Sequence, residues 1–263
     1  MKNISQILKK TWNQINEFIR KKNKKSEFPK YFLKYNTIIT EEKDIAECFN
    51  NFFINIGPDL SNKIKNPQGK CYTDFLMKHV TSSFEFKRVT ENDILKIIQK
   101  LKPKSSFGHD GLSTILLKFI ATDIISVLTL IINQSLVTGI FPDKLKIAKI
   151  KPIFKKDNPH LPDNYRPISL LPSISKVFEK VAFLQVYDYF SKNELIYKSQ
   201  YGFRQLHSTE LAAIEHTDKI YSSLDNKKQP VAIYLDLSKA FDTIDHSILL
   251  HKLNYYGIQG TSL

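Results

Sequence analysis

The stretch from Val231 to Asp242 reads VAIYLDLSKAFD and joins a short apolar run to two carboxylates. The run from Val231 to Leu235 is uninterrupted and rich in β-branched and aromatic residues, which predicts a strand buried on both faces. Asp236 at the end of such a strand carries a large desolvation cost unless positive charge lies against it. Mg²⁺ is the candidate, because proteins hold it with one or two carboxylates and substrate phosphates.

The same stretch has a second interpretation. Asp and Ser are ordinary turn residues, so Asp236 could simply cap the segment that follows the strand. The strand pattern alone favours this turn, and the choice depends on the rest of the sequence.

Three blocks of sequence follow one another in the second half of the chain: NYRPISLLPSISKVFEK at 164–180, SQYGFRQLHST at 199–209 and LDLSKAFDTIDH at 235–246. Together they strongly resemble the reverse transcriptases of non-LTR (LINE-type, jockey-like) retrotransposons. The resemblance extends from about Phe84 to the last residue. It implies an α/β (α+β) right-hand polymerase fold, with the fingers and the first part of the palm only, preceded by a helical lead-in.

The resemblance implies roles for the residues around the apolar run. Asp236 matches the aspartate that binds the catalytic metal ions, which we expect to be Mg²⁺, with Mn²⁺ as the alternative. The backbone carbonyl of Leu237 is the expected further ligand. Phe241 matches the aromatic residue that blocks a ribose 2′-OH.

A basic hairpin is predicted whose second strand lies in the first of these blocks. Ile147–Lys156 and Tyr165–Leu171 read as strands, joined by the Pro-, Asp- and Asn-rich loop Asp157–Asn164. Strand alternation places three lysines, among them Lys155, on one face. A solvated edge is the alternative interpretation, because lysines on edge strands discourage aggregation.

In the family that the chain resembles, this hairpin lies in the fingers and folds over the incoming nucleotide. Arg166 matches the residue that grips the triphosphate, and its planar guanidinium suits phosphate oxygens bound in pairs. Lys155 or Lys156 adds a point charge, and the strand register does not decide between them.

Two other segments are candidates for nucleic-acid binding. Lys102–Gly111 reads KPKSSFGHDG, a tight turn with Lys102 and Lys104 beside it, and resembles a block near the template at the front of the family's fingers. Arg204 in QYGFR is expected to contact a backbone phosphate. The alternatives are a plain turn between helices for the first segment and a surface arginine for the second.

Composition narrows the class of protein. The chain has 263 residues, 42% of them hydrophobic, which is enough for one large globular domain or two. Its formal net charge of +13 favours polyanionic partners. Cys48 and Cys71 have no metal-binding spacing, and neither a signal peptide nor an unbroken transmembrane run is apparent. We expect no membrane partner and an intracellular location, in the cytoplasm, the nucleus or both.

The domains are predicted as 1–83, a basic helical lead-in and linker, and 84–263, a partial reverse transcriptase domain. Residues 1–35 carry ten basic and two acidic side chains, so +8 of the net charge lies there. This arm either contacts phosphates or directs the chain to the nucleus, or it is a solvated linker.

Apolar spacing and capping residues predict helices over much of the chain. Their expected positions are 3–20, Thr40 to Gly57-Pro58, Thr90 to Pro103, 113–137 as two helices that meet near Asp123 and stop at Gly139, 173–190 with Ser173 as the cap, 210–224 behind Ser208 and Thr209, and the segment after Asp245.

By resemblance the protein is an RNA-directed DNA polymerase that uses an RNA template, a DNA primer and deoxynucleoside triphosphates. Such enzymes work by two-metal in-line displacement, which needs more carboxylates than Asp236. The family supplies them in a downstream YADD-type motif, and no such aspartate pair occurs in this sequence. We therefore expect an incomplete copy or a fragment that is inactive by itself. The alternatives are a non-catalytic RNA-binding remnant and an interaction protein of unrelated function.

Overall fold

The computed structural model describes Thr11 and residues 28–34, 37–61, 71–76, 80, 82–237 and 240–263. The helices are Glu42–Ser61 (α1), Glu91–Lys100 (α2), Thr114–Phe119 (α3), Ala121–Thr138 (α4), Asp143–Lys146 (α5), Ser173–Lys192 (α6), Thr209–Asp225 (α7) and His246–Tyr255 (α8). The strands are Phe32–Lys34 (β1), Thr37–Ile39 (β2), Lys149–Phe154 (β3) and Tyr165–Leu170 (β4). They form two small sheets, an antiparallel β1–β2 pair and a β3–β4 pair. This mixture of helices and small sheets agrees with the predicted α/β (α+β) class.

The chain divides into two compact units. The first unit combines Met1–Phe52 with Phe154–Arg166, and the second combines Phe53–Ile153 with Pro167–Leu263. The sequence predicts a different kind of boundary, near residue 83, at which the reverse transcriptase domain begins. This boundary stays a prediction.

Aromatic rings form the centre of the first unit. Phe32 of β1 and Phe49 of α1 are buried edge-on to each other, with ring centroids 4.9 Å apart. Tyr165 of β4 lies 5.6 Å from the first ring and 5.1 Å from the second. Edge-to-face rings at such distances attract each other beyond the burial of their area. The cluster therefore joins three segments that are far apart in sequence.

Apolar faces of four helices form the core of the second unit. The buried residues are Ile94, Ile97 and Ile98 of α2, Leu117 of α3, Ala121, Ile125, Leu128 and Ile132 of α4, and Val177, Phe178 and Val181 of α6. The spacing of these residues by three or four positions is that of a helix with one buried stripe. Helix α2 begins at the predicted capping box, in which Thr90 Oγ1 accepts from the Asp93 N–H and the Asp93 carboxylate accepts from the Thr90 N–H.

Helix α4 has two properties that bear on the membrane prediction. Among the described residues it is the helix that is long and apolar enough to cross a membrane by length and composition. Its stripe from Ala121 to Ile132 packs in the core with α2 and α6, whereas the rest of the helix is mostly outside the core, with Leu130 69% exposed. The predicted break near Asp123 lies at Ile120, and the predicted stop at Gly139 is confirmed.

The predicted buried strand at Val231–Leu235 is wrong. The segment has no regular secondary structure, and its apolar side chains are exposed, Leu235 by 89%. A strand needs neighbouring strands for its backbone groups, and both sheets of the described residues are built from other segments. A hydrogen bond of 2.7 Å between the Tyr234 hydroxyl and His216 Nε2 joins this segment to α7.

Two helix boundaries also differ from those predicted. Helix α1 continues through Gly57 and Pro58 to Ser61, although Pro58 has no N–H to donate to the carbonyl of Ile54. Ser173 is the first residue of α6 rather than its cap, since its hydroxyl donates to the Leu112 carbonyl at 2.8 Å. The helix predicted at 3–20 lies outside the described residues except for Thr11.

Candidate nucleotide and nucleic-acid site

The loop between β3 and β4 presents the predicted triphosphate-binding residues. The Lys155 N–H donates to the Asn164 carbonyl at 2.8 Å, which closes the loop. The side chains of Lys155, Lys156 and Arg166 are all exposed. Lys156 Nζ lies 3.9 Å from the carboxylate of Asp157, a weak solvent-exposed ion pair. The first unit thus brings these three cations to one hairpin end, where they are open to an anionic ligand.

This loop is anchored by contacts that the sequence patterns did not indicate. The Tyr165 hydroxyl donates to the Pro159 carbonyl at 2.7 Å. The His160 ring stacks on Tyr31 with centroids 4.0 Å apart and planes 10° apart, and the Leu33 N–H donates to the His160 carbonyl at 2.9 Å. The sequence signal for these contacts is weak. It consists of the aromatic residues Phe28, Tyr31 and Phe32 in or next to β1 and of Tyr165, which precedes Arg166. These contacts fix the loop to the aromatic cluster.

Tyr165 gives the first unit a dependence on alkaline pH. Burial raises the pKa of its phenol, so the folded state retains this proton at a pH where the unfolded chain loses it. The stabilisation is therefore complete below the ordinary tyrosine pKa of about 10 and is lost as the pH rises through the raised value. Tyr165→Phe is expected to flatten this alkaline loss and to cost about 1 kcal/mol near pH 7, the worth of one hydrogen bond.

Urea unfolding at neutral and alkaline pH measures this prediction. Tyr221→Phe is the matched control, because Tyr221 is 63% exposed. An alkaline loss that is equally steep in Tyr165→Phe and in the unmodified chain contradicts the assignment.

The turn Lys102–Gly111 packs closely against the start of α6. Gly108 is buried, and a Cβ there would lie 2.7 Å from the Pro172 nitrogen, so only glycine permits this approach. The Thr114 hydroxyl accepts from the Lys104 N–H at 3.1 Å and donates to its carbonyl at 3.2 Å. The side chains of Lys102 and Lys104 are exposed. Two of the blocks that carry the family resemblance are therefore in contact, and the lysines extend from a fixed backbone.

Arg204 holds its own turn together. Its Nη1 donates to the Lys198 carbonyl at 3.1 Å and to the Tyr197 carbonyl at 3.4 Å. The next residue, Gln205, donates its N–H to the Tyr187 hydroxyl of α6 at 3.0 Å. These hydrogen bonds favour the alternative interpretation, in which Arg204 is an arginine that stabilises its own turn. The predicted contact of Arg204 with a backbone phosphate stays a prediction.

Phe241 lies against a second block of the resemblance. Its ring meets that of Phe203 edge-on, with centroids 5.9 Å and planes 88° apart. Both rings are largely exposed, Phe241 by 74% and Phe203 by 86%. The following residue, Asp242, packs its carbonyl against α1, where a Cβ on Gly57 would come within 2.2 Å of the oxygen. The side chain of Phe241 is therefore on the surface, while the backbone of the next residue packs against α1.

The surroundings of Asp236 decide how well it serves as a metal ligand. Asp236 and Leu237 are exposed, the latter by 75%. In the part of the chain that the structure describes, no group of three or more His, Cys, Asp or Glu side chains could hold a metal ion. Asp236 suits one position in the oxygen shell of a divalent cation, but the described residues do not form a complete metal site.

The mixed fold, the net charge of +13 and the exposed cations of these blocks are typical of a protein that binds nucleic acid. Residues 153–262 match the family of reverse transcriptases (RNA-dependent DNA polymerases). Residues 153–262 belong to this family, and the relatives of the chain confirm its resemblance to the enzymes of non-LTR retrotransposons.

Three of these relatives come from Drosophila melanogaster. The chain is 33% identical over 192 residues to the probable RNA-directed DNA polymerase from transposon BS, an alignment that covers 70% of this chain and 21% of the relative. It is 31% identical over 189 residues to the RNA-directed DNA polymerase from mobile element jockey, with 71% and 21% covered. It is 30% identical over 173 residues to the probable RNA-directed DNA polymerase from transposon X-element, with 63% and 19% covered. The chain spans about a fifth of the length of these relatives.

Proposed function

We propose that the chain is part of an RNA-directed DNA polymerase of a non-LTR retrotransposon, which copies an RNA template onto a DNA primer from deoxynucleoside triphosphates. The observation that carries the proposal is the match of residues 153–262 to the reverse transcriptase family, because this range includes Arg166, Asp236 and Phe241. In this proposal the first unit contributes to the fingers, and the segment around Asp236 belongs to the palm.

The incoming nucleotide is bound by two kinds of group in this proposal. Arg166 binds the triphosphate through paired N–H donors, and Lys155 or Lys156 adds a compact charge. Reverse transcriptases use divalent metal ions, which neutralise charge on the triphosphate when bound. The Asp236 carboxylate and the Leu237 carbonyl are the proposed oxygen ligands, with Mg²⁺ preferred and Mn²⁺ as the alternative.

The template and primer are proposed to lie along cations of the second unit, of which Lys102 and Lys104 are exposed and Arg204 is half-buried. Lys102 and Lys104 project from the turn that packs on α6, and Arg204 lies beside the Phe203–Phe241 pair. The proposed location is the cytoplasm, the nucleus or both. Extension of a DNA primer on an RNA template, by the chain joined to a downstream polymerase segment of a relative, tests the polymerase function, and Asp236→Asn is the variant expected to abolish extension in that joined chain.

Binding to RNA is expected to be weakly sequence-specific and to weaken steeply with salt, because it rests on counterions released from phosphates. Deleting residues 1–27, which carry eight basic and two acidic side chains, leaves Tyr31, Phe32 and Leu33 in place and should weaken binding and flatten the salt dependence. The slope of log K against log salt should fall by about 0.7 for each single-strand phosphate that the arm neutralises in the full chain. Fluorescence anisotropy with a labelled RNA over a series of salt concentrations measures both effects.

The matched control neutralises three lysines that already form ion pairs, namely Lys146, Lys192 and Lys219. These substitutions should change the slope little. An affinity that does not depend on salt, or an arm deletion without effect, argues against the nucleic-acid part of the proposal.

A further inference from the structure

A groove of about 340 Å³ lies between α2 and α6 in the second unit. Its floor is apolar and includes Ile97, Val181 and Leu184. Ile97 and Val181 are buried in the core, whereas Leu184 is 39% exposed. The floor therefore offers apolar surface that an inserted side chain would remove from water. We name this site the α2–α6 groove.

Three lysines surround this floor. Lys96 and Lys100 come from α2 and Lys180 comes from α6. None of them forms an ion pair within the described residues. Lys100 lies in the last turn of α2, where a cation also complements the helix dipole. Lys180 Nζ lies 4.2 Å from the centre of the Phe183 ring, a contact that leaves its charge unneutralised, so the rim is positive toward a partner.

The other polar groups of the groove already have partners. The Asp93 carboxylate accepts from the Thr90 hydroxyl and N–H, bonds that lower its pKa and keep it ionised. The Gln185 side chain accepts from the Lys87 N–H at 2.7 Å and donates to the Lys87 carbonyl at 2.9 Å. A partner therefore meets an apolar floor, three lysines outside any ion pair of the described residues, and the Asp93 carboxylate, whose charge Lys96 partly offsets.

We propose that the α2–α6 groove binds an acidic amphipathic peptide segment, whose apolar side chains enter the groove while its carboxylates meet Lys96, Lys100 and Lys180. Charge complementarity and the apolar floor together identify this occupant. Nucleic acid fits less well, because none of the described residues that line the groove is an aromatic or an arginine that could stack on bases. Binding in this mode follows the general pattern of an amphipathic helix in an apolar groove.

Three synthetic helical peptides test the proposal with the full chain. The first carries Leu on one face and Glu on both flanks, the second replaces every Glu with Lys, and the third replaces every Leu with Ser. Fluorescence anisotropy should show binding of the first peptide, at least about tenfold weaker binding of the third and none of the second.

Two charge-reversed variants locate the site. Lys96→Glu, Lys100→Glu and Lys180→Glu together should weaken binding of the first peptide about tenfold or more, as a few solvent-exposed charge pairs would. The control reverses the same number of charges at Lys144, Lys198 and Lys228, which are exposed and outside the groove. It should leave the affinity within about twofold, and circular dichroism should show that both variants remain helical.

Leu184→Glu tests the floor separately, because its side chain is partly exposed and its replacement leaves the buried core intact. It should weaken binding as much as the triple reversal does. The proposal is overturned if the first peptide does not bind, or if it binds equally to the groove variant and the control. It is also overturned if a short single-stranded RNA displaces the peptide and itself loses affinity in the groove variant.

Discussion

Residues 1–263 are expected to leave a DNA primer unextended on an RNA template, even with Mg²⁺ and all four deoxynucleotides present. The physical reason is that the chain neither neutralises the charge of two Mg²⁺ ions nor fixes their position relative to the primer end. Two Mg²⁺ ions carry four positive charges, and the Asp236 carboxylate neutralises one of them. The triphosphate adds negative charge but does not fix the ions relative to the primer end. Phosphoryl transfer depends mainly on such positioning.

The expected loss is large because the carboxylates of a polymerase act as a unit. Removing one member of a protease catalytic triad lowers the rate by a factor on the order of 10⁴–10⁶, which is a guide to the scale for groups that act as a unit. Asp236 is exposed, and the described residues hold no group of three or more side chains that could bind a metal ion together. Asp236 is therefore a single carboxylate ligand in this part of the chain. An unextended primer is therefore the expected observation rather than a slow extension.

The experiment compares four proteins under the same conditions. They are residues 1–263, residues 1–263 joined to the downstream polymerase segment of the jockey relative, and the Asp236→Asn variant of each. Only the joined chain with Asp236 should extend the primer. If residues 1–263 extend it and their Asp236→Asn variant does not, the remaining carboxylates come from elsewhere, for example from a second subunit.

Local signals in the sequence predicted the helices well. The predicted caps at Thr90 and Ser208 are present in the structure, each accepting a backbone N–H group of its own helix. A cap depends on the next three residues only, so it can be read without knowledge of the fold. The hairpin at Lys149–Phe154 and Tyr165–Leu170 was predicted for the same reason, from strand alternation and loop composition.

Contacts between distant segments could not be predicted in this way. The stack of Tyr31 on His160 joins residues 129 positions apart, and neither residue has a distinctive local pattern. The run Val231–Leu235 shows the reverse case, in which a distinctive local pattern gave a wrong prediction. Its apolar composition predicts burial whether or not partner strands are present. Burial depends on what packs against a segment, and composition carries no information about that.

Among the predicted site residues, Phe241 has the role that a single substitution tests most directly, and this role stays a prediction. We expect Phe241→Ala to raise the incorporation of ribonucleotides relative to deoxyribonucleotides in the chain joined to the jockey polymerase segment. A ring placed against the sugar excludes a 2′-OH by its volume, and removing it opens space for that hydroxyl. Steric discrimination against one added hydroxyl is worth up to a factor on the order of 10².

Because Phe241 is exposed, Phe241→Ala should change nucleotide selectivity without a large loss of stability. A buried phenylalanine replaced by alanine loses about 3–5 kcal/mol of stability, which would confuse any measurement of activity. Phe241 is 74% exposed, so most of its surface is already in water and the loss should be well below that range. Selectivity can therefore be compared between proteins that remain folded.

Phe203→Ala is the matched control for the Phe241 experiment. It breaks the same edge-on ring pair and removes an equally exposed ring, but it leaves the side chain at position 241 in place. Selectivity should change in Phe241→Ala and stay nearly constant in both Phe203→Ala and Phe241→Tyr, which keeps the ring. Single-nucleotide incorporation with matched ribo- and deoxyribonucleotides measures the ratio. Equal changes in the two alanine variants would show that the ring pair, and not a wall against the sugar, sets the selectivity, and no change in either would remove Phe241 from the nucleotide site.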